Sequence, residues 1–138
     1  MCLIVWNWQP RSETPLVLLS NRDEYHARAA LPMHWWANDA ALPLGNILAG
    51  RDLQAGGTWL GVSRNGRLAA ITNFRSGNTG REDVRSRGEL VTQFLHSRLS
   101  AAAFLQDLLS QCAAYNPFNL LVFDGTTLMG LESRHARI

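Results

Sequence analysis

Two apolar runs meet at Arg64-Asn65-Gly66, and no other feature limits the fold as strongly. Thr58-Trp59-Leu60-Gly61-Val62-Ser63 and Arg67-Leu68-Ala69-Ala70-Ile71-Thr72-Asn73 are each long enough for one strand. Asn-Gly between them supplies the positive φ angles that a tight hairpin needs. A chain turning there builds an antiparallel sheet. Residues 3–8 are rich in β-branched and aromatic side chains and read as another strand. They are joined by a polar turn over residues 9–15 to the apolar run Leu16-Val17-Leu18-Leu19-Ser20. A third hairpin is read from Asn119-Leu120-Leu121-Val122-Phe123 and Thr127-Leu128-Met129-Gly130-Leu131, turning at Asp124-Gly125.

Helical spacing is confined to one stretch between these units. Residues 89–95 repeat apolar positions at helical period, and residues 101–112 do so again behind Ser100, which has the character of an N-cap. The short link predicts an antiparallel helix pair, with Cys112 as a buried structural thiol near the end of the second helix. Strands, two helices, then strands again indicate an α+β domain with helices on an antiparallel sheet. Residues 47–50 read as a short strand and residues 51–57 as a loop ending in two glycines. Residues 25–43, with Pro32, Trp35-Trp36 and Pro43, read as a long irregular connection whose tryptophans cap the core. Residues 76–87 read as an exposed, mobile loop.

At 138 residues the chain forms one domain at most, and 46% hydrophobic with 17% charged residues describes an ordinary globular protein. All 13 basic residues are arginine. The lack of lysine excludes Schiff-base chemistry, pyridoxal phosphate attachment and the phosphate-binding P-loop. A net charge of +2 gives no case for nucleic acid. The cluster Arg75, Arg81, Arg85 and Arg87 reads as a solvated loop interleaved with Glu82 and Asp83. The first residues are apolar without a basic flank and stop at Asn7, which argues against a signal or membrane anchor. A cytoplasmic location with Cys2 and Cys112 as reduced thiols is therefore expected. No Cys/His spacing marks a metal site, and His26 and His34 read as loop histidines.

The candidate chemistry lies at strand ends. Asn21-Arg22-Asp23-Glu24 follows the second apolar run, and Asn73 closes the arm of the central hairpin. Taken alone, Arg22 and Asp23 describe a surface ion pair worth under about 1 kcal/mol. Cys2 changes that weighing, because aminopeptidases remove a methionine that precedes a small residue. An N-terminal cysteine carries its own base: the α-amine titrates near 8 and the thiol near 8.5, so the amine can accept the thiol proton. Cys2 reads equally as such a nucleophile or as a small apolar residue in an edge strand. Asn73 could donate to the oxyanion of an acyl-transfer reaction, and Arg22 with Asp23 could orient the thiol or hold a substrate carboxylate. The hairpin of the first two strands puts the tetrad next to Cys2. Asn21 and Glu24 then bind at the strand end, chiefly through its backbone, and Arg22 and Asp23 carry the site.

Met1-Cys2, Asn21-Arg22-Asp23-Glu24, Ala55-Gly56-Gly57-Thr58-Trp59-Leu60-Gly61-Val62, Ala69-Ala70-Ile71-Thr72-Asn73-Phe74 and Asn119-Leu120-Leu121-Val122-Phe123-Asp124 occur in that order. Together they resemble the NRDE family, also called the transport and Golgi organisation protein 2 family. Family members are longer, so the resemblance implies that residues 1–138 are a single domain forming the N-terminal portion of a longer protein. It also implies an N-terminal-nucleophile hydrolase-like αββα sandwich. A more distant similarity is to the choloylglycine hydrolase and penicillin V acylase group. It implies Cys2 as nucleophile and Asn73 in the oxyanion hole, although that group separates its Arg and Asp by two residues whereas Arg22 and Asp23 are adjacent. The expectation is a cysteine amidohydrolase that cleaves a small amide without a cofactor. The alternative, which the family's link to haem trafficking and acyl-coenzyme A metabolism implies, is a carrier of an apolar ligand such as haem or an acyl chain. In that case Trp35, Trp36 and Trp59 would line the pocket, with His26 or His34 as an axial ligand. A third expectation is a homodimer formed through exposed strand edges.

Overall fold

A computed structural model of the protein describes residues 2–37, 46–74 and 80–138. The fold is α+β with two antiparallel sheets and two helices. β1 (Leu3–Trp8) and β2 (Leu16–Asn21) form a two-stranded sheet in the register Leu3↔Asn21 to Trp8↔Leu16. The other sheet has six strands in chain order: β3 (Ala30–Trp35), β4 (Ile47–Asp52), β5 (Leu60–Ser63), β6 (Leu68–Asn73), β7 (Phe118–Phe123) and β8 (Leu128–Glu132). Both hairpins turn where expected, with Gly66 and Gly125 at φ of 74° and 102°, but Asn65 keeps a negative φ, so Gly66 alone supplies the left-handed residue of its turn.

Helices α1 (Gly88–His96) and α2 (Ala101–Leu109) lie between β6 and β7 in sequence. They cover one face of the large sheet. Alternation in the strands selects that face: Phe118, Leu120 and Val122 of β7 are buried, and Ala69 and Ile71 of β6 pair with Val122 and Leu120. These side chains form one core with Leu90, Val91, Phe94 and Leu95 of α1 and Phe104, Leu105 and Leu108 of α2. Phe94 and Phe104 meet edge to face at 5.1 Å, tying the two helices together. Ser100 caps α2 by accepting from the Ala103 amide.

The β1–β2 hairpin lies over the opposite face, where Trp8 stacks edge-on against Phe123 at 5.4 Å. Its outer side presents Leu3, Val5, Val17 and Leu19, all at least 46% exposed. Strand pairing places these four side chains on one face.

Four expectations are corrected. The stretch read as an irregular connection contains β3, because Pro32, which cannot donate to a ladder, sits where the register shifts between Leu31 and His34 on an edge strand. Residues 38–43 of that stretch lie outside the described residues. Arg51 and Asp52, read as loop, are the last residues of β4. The second helix ends at Leu109, so Cys112 falls in a following 3₁₀ turn, half-buried, with its sulfur donating to the Leu108 carbonyl. Arg87, read as part of a solvated loop, is half-buried and donates to the Pro117 carbonyl at 2.9 Å, while Arg85 bridges to Tyr115. Arg75 and residues 76–79 of the same loop lie outside the described residues.

Candidate functional site

The first hairpin positions the site. With Leu3 paired to Asn21, the next residues outward on the two strands are Cys2 and Arg22. Asn21 fastens this end, its side-chain oxygen accepting from the Leu3 amide at 2.7 Å. One residue further, the Asp23 amide donates to Cys2 Sγ at 3.3 Å, and Sγ lies 3.7 Å from the Asp23 carbonyl. The sulfur is thus held against the backbone of the tetrad.

A cavity of about 310 Å³ opens beside that sulfur. Cys2, Arg22, Asp23, Glu24, Trp59 and Asn73 all line it. Six of the seven residues singled out from sequence therefore share one wall system, and Asn21 instead serves the strand end. Asn73 reaches the cavity from the end of β6, where it pairs with Phe118. Met1 lies outside the described residues.

Asp52, not anticipated from sequence, organises the charges. Its carboxylate accepts from Arg28 Nε at 2.7 Å, lies 3.7 Å from Arg22 Nη2, and accepts the amides of Gln54 and Ala55 at 2.9 and 3.0 Å. An Asp that accepts from amides two and three residues on sets up a turn, which Gly56 completes at φ 76°. Burial pushes the Asp52 carboxyl up, but the Ala55 amide, Arg28 and the Gln54 amide outweigh it and hold the group below the usual carboxylate range. Arg22 also lies over the Trp59 ring at 4.8 Å. Trp59 in turn occupies the space a side chain at Gly50 would need, 2.6 Å from an added Cβ. Glu24 accepts from the Tyr25 amide at 3.0 Å and pairs with Arg28 at 3.8 Å, fixing the turn that delivers Arg28.

The far wall is built by close backbone contact. A Cβ on Gly57 would lie 2.6 Å from the Gly88 carbonyl carbon, and the Thr58 amide donates to Gly88 O at 3.2 Å. This contact brings the start of α1, and Arg87 with it, to the cavity. The sequence signal for Asp52 was its place directly behind an apolar run, the same signal that marked the tetrad. Arg87 carried no such signal, since its burial depends on Pro117, 30 residues away.

The three tryptophans do not form one pocket. Trp36 is buried in the core with its indole donating to the Ala49 carbonyl at 3.1 Å, Trp35 lies under Arg64, and only Trp59 reaches the cavity. His26 is exposed, and His34 Nδ1 is bonded to the Pro32 carbonyl. Neither lines this cavity. A second, largely apolar cavity of about 460 Å³ lies between the hairpin and the large sheet, with Ile4, Trp6, Leu121 and Cys2 among its walls. Among the described residues no helix is long and apolar enough to cross a membrane.

The chain is 36% identical to the transport and Golgi organization 2 homolog of Mus musculus over 137 residues, covering 94% of this chain and 48% of that protein. It is 37% identical to the Bos taurus homolog, covering 90% of this chain and 45% of that one. Against the Drosophila melanogaster transport and Golgi organization protein 2 the identity is 31%, over all of this chain and 50% of the relative. The chain thus spans about half the length of the curated relatives it matches. The family model described as Transport and Golgi organisation 2 matches residues 1–137, and the chain belongs to that family.

Proposed function

We propose that the protein is the catalytic portion of a cysteine amidohydrolase that uses Cys2 as an N-terminal nucleophile on a small amide. The carrying observation is the Cys2 sulfur fixed 3.3 Å from the Asp23 amide, on a cavity that Asn73 and Arg22 also line. Removal of Met1 frees the Cys2 amine, which takes the thiol proton as sulfur bonds to the amide carbon. The tetrahedral oxyanion accepts from the Asn73 side-chain amide. Collapse breaks the C–N bond, the ammonium of Cys2 returns the proton to the departing amine, and water then hydrolyses the thioester. Arg22, held over Trp59 and near Asp52, acts with Asp23 as the orienting pair.

Intact mass of the native protein tests the first requirement: the expected mass is that of the chain without Met1, and a retained methionine refutes the mechanism. Cys2→Ala then abolishes turnover of model amides while the circular dichroism spectrum is unchanged. Turnover that survives the substitution excludes Cys2 as nucleophile.

The apolar cavity of about 460 Å³ favours a second reading, a carrier of an apolar ligand such as an acyl chain or haem. Quenching of tryptophan fluorescence by a fatty acid or haem that persists in Cys2→Ala supports the carrier. Its absence in the native protein counts against it.

A further inference from the structure

The charges around the first cavity are unevenly matched. Arg22 and Arg28 share Asp52, and Arg28 also pairs with Glu24. Arg85 pairs with Glu89 at 2.6 Å, and Arg81 spends one guanidinium nitrogen on the carbonyls of Ala113 and Tyr115. Arg87 is held differently. Its Nη1 donates to the Pro117 carbonyl, and among the described residues no carboxylate lies within ion-pair distance of it. It is half-buried on the cavity wall. Burial, and then the like charge of Arg28, disfavour its charged form, while Glu24 and Cys2 act in the opposite sense. A guanidinium that remains charged at neutral pH therefore stands in a partly dry site without a carboxylate in contact among the described residues, its charge favoured only at longer range by Glu24 and by Cys2.

An uncompensated, partly buried cation is costly unless a ligand completes it, and a guanidinium fork with one nitrogen engaged keeps donors for a planar oxyanion. The cavity volume of about 310 Å³ is at the small end of ligand sites. We propose that Arg87 is the anion-recognition residue of this cavity, and that the molecule acted on there is a small acyl compound bearing a carboxylate, which Arg87 holds while its carbonyl stands at Cys2. This rests on Cys2 being the nucleophile proposed above.

Alkylation of Cys2 by iodoacetate and by iodoacetamide tests the inference. The two reagents share size and electrophilic carbon and differ in charge. Each forms a thioether at sulfur with loss of iodide, and peptide mass mapping separates Cys2 from Cys112. The expected iodoacetate-to-iodoacetamide rate ratio at Cys2 is roughly tenfold above that of free cysteine in the same buffer, the factor that about 1.4 kcal/mol of attraction supplies. Arg87→Gln lowers the ratio to the free-cysteine value. A native ratio equal to that of free cysteine, or a high ratio that persists in Arg87→Gln, overturns the proposal.

A further measurement needs no variant. Sodium acetate substituted for sodium chloride at constant ionic strength is expected to slow iodoacetate at Cys2 by occupying Arg87, and an unchanged rate overturns the proposal as well. Neither arm reads amide turnover. A retained Met1 or an inactive protein therefore overturns the nucleophile and with it the acyl substrate, whereas the two alkylation arms alone decide the anion recognition by Arg87.

Discussion

The backbone amide of Asp23 donates to the Cys2 sulfur across 3.3 Å, so the tetrad meets the cysteine through its main chain. The contact follows from the hairpin register, in which Leu3 faces Asn21. Substitutions that leave the strand ends intact should therefore leave the sulfur in place, while those that loosen the charge network should disturb the cavity behind it.

Asp52 is the keystone of that network. Asp52→Ala removes the carboxylate that Arg28 and Arg22 share and leaves the Gln54 and Ala55 amides without their acceptor. The expected loss is about 3 kcal/mol, the scale of breaking a largely buried charge pair on one side, and urea unfolding measures it. A loss within experimental error would show that water serves these groups equally well.

Gly57→Ala should damage the cavity without altering any charge. The added methyl would stand 2.6 Å from the Gly88 carbonyl carbon, and backbone cannot yield there as a side-chain tip could. The variant is expected to lose about 2 kcal/mol, in the range for forced overpacking, and to show altered Cys2 alkylation kinetics. Native melting temperature together with native alkylation would contradict the close approach.

Arg67 anchors the end of α1. It is buried, and its guanidinium donates to the carbonyls of Phe94 and Leu99 and to the Ser97 hydroxyl while lying 4.0 Å from the centre of the Phe94 ring. Arg67→Met keeps the apolar stem and strips the donors from these acceptors. About 1 kcal/mol of destabilisation is expected, the net loss of hydrogen bonds whose acceptors keep other partners, as the Phe94 carbonyl keeps the Ser97 amide and hydroxyl, measured as a lower urea midpoint at unchanged slope.

The pH dependence of stability should show an acid limb set by two carboxyls. Burial pushes Asp124 up, but the amides of Ala101, Thr127 and Thr126 outweigh it and hold the group well below the usual range; Asp52 is shifted in the same direction. A folded pKa below the unfolded value of about 4 stabilises the protein above that pH and loses the contribution as pH falls towards the folded value. Asp124→Asn should therefore cost about 1 kcal/mol at pH 7, as for loss of a helix-terminal cap, and flatten the fall in melting temperature below pH 4. An acid limb of unchanged steepness would assign it to other groups.

The sequence by itself determined the hairpins and the helices, because their signals are local. Asn65-Gly66 and Asp124-Gly125 specify turns, the apolar runs on either side of them specify the strands of the large sheet, and Ser100 specifies a helix start. The nearness of Cys2 to Arg22 and Asp23 was legible for the same reason, since a short hairpin leaves one register for its ends. β3 was hidden because Pro32 and the two tryptophans imitate a loop, and a strand at a sheet edge tolerates a residue that cannot donate. Only the tertiary structure decided which charges matter. Asp52 gains Arg22 and Arg28 across 30 and 24 residues of chain. Arg87 leaves a run of solvated-looking charges because Gly57 and Gly88 let two backbones touch, turning it towards Pro117 and the cavity. Local propensity encodes hydrogen bonds between near neighbours, whereas the dryness and charge balance of a site are sums over segments that meet only after the chain has folded.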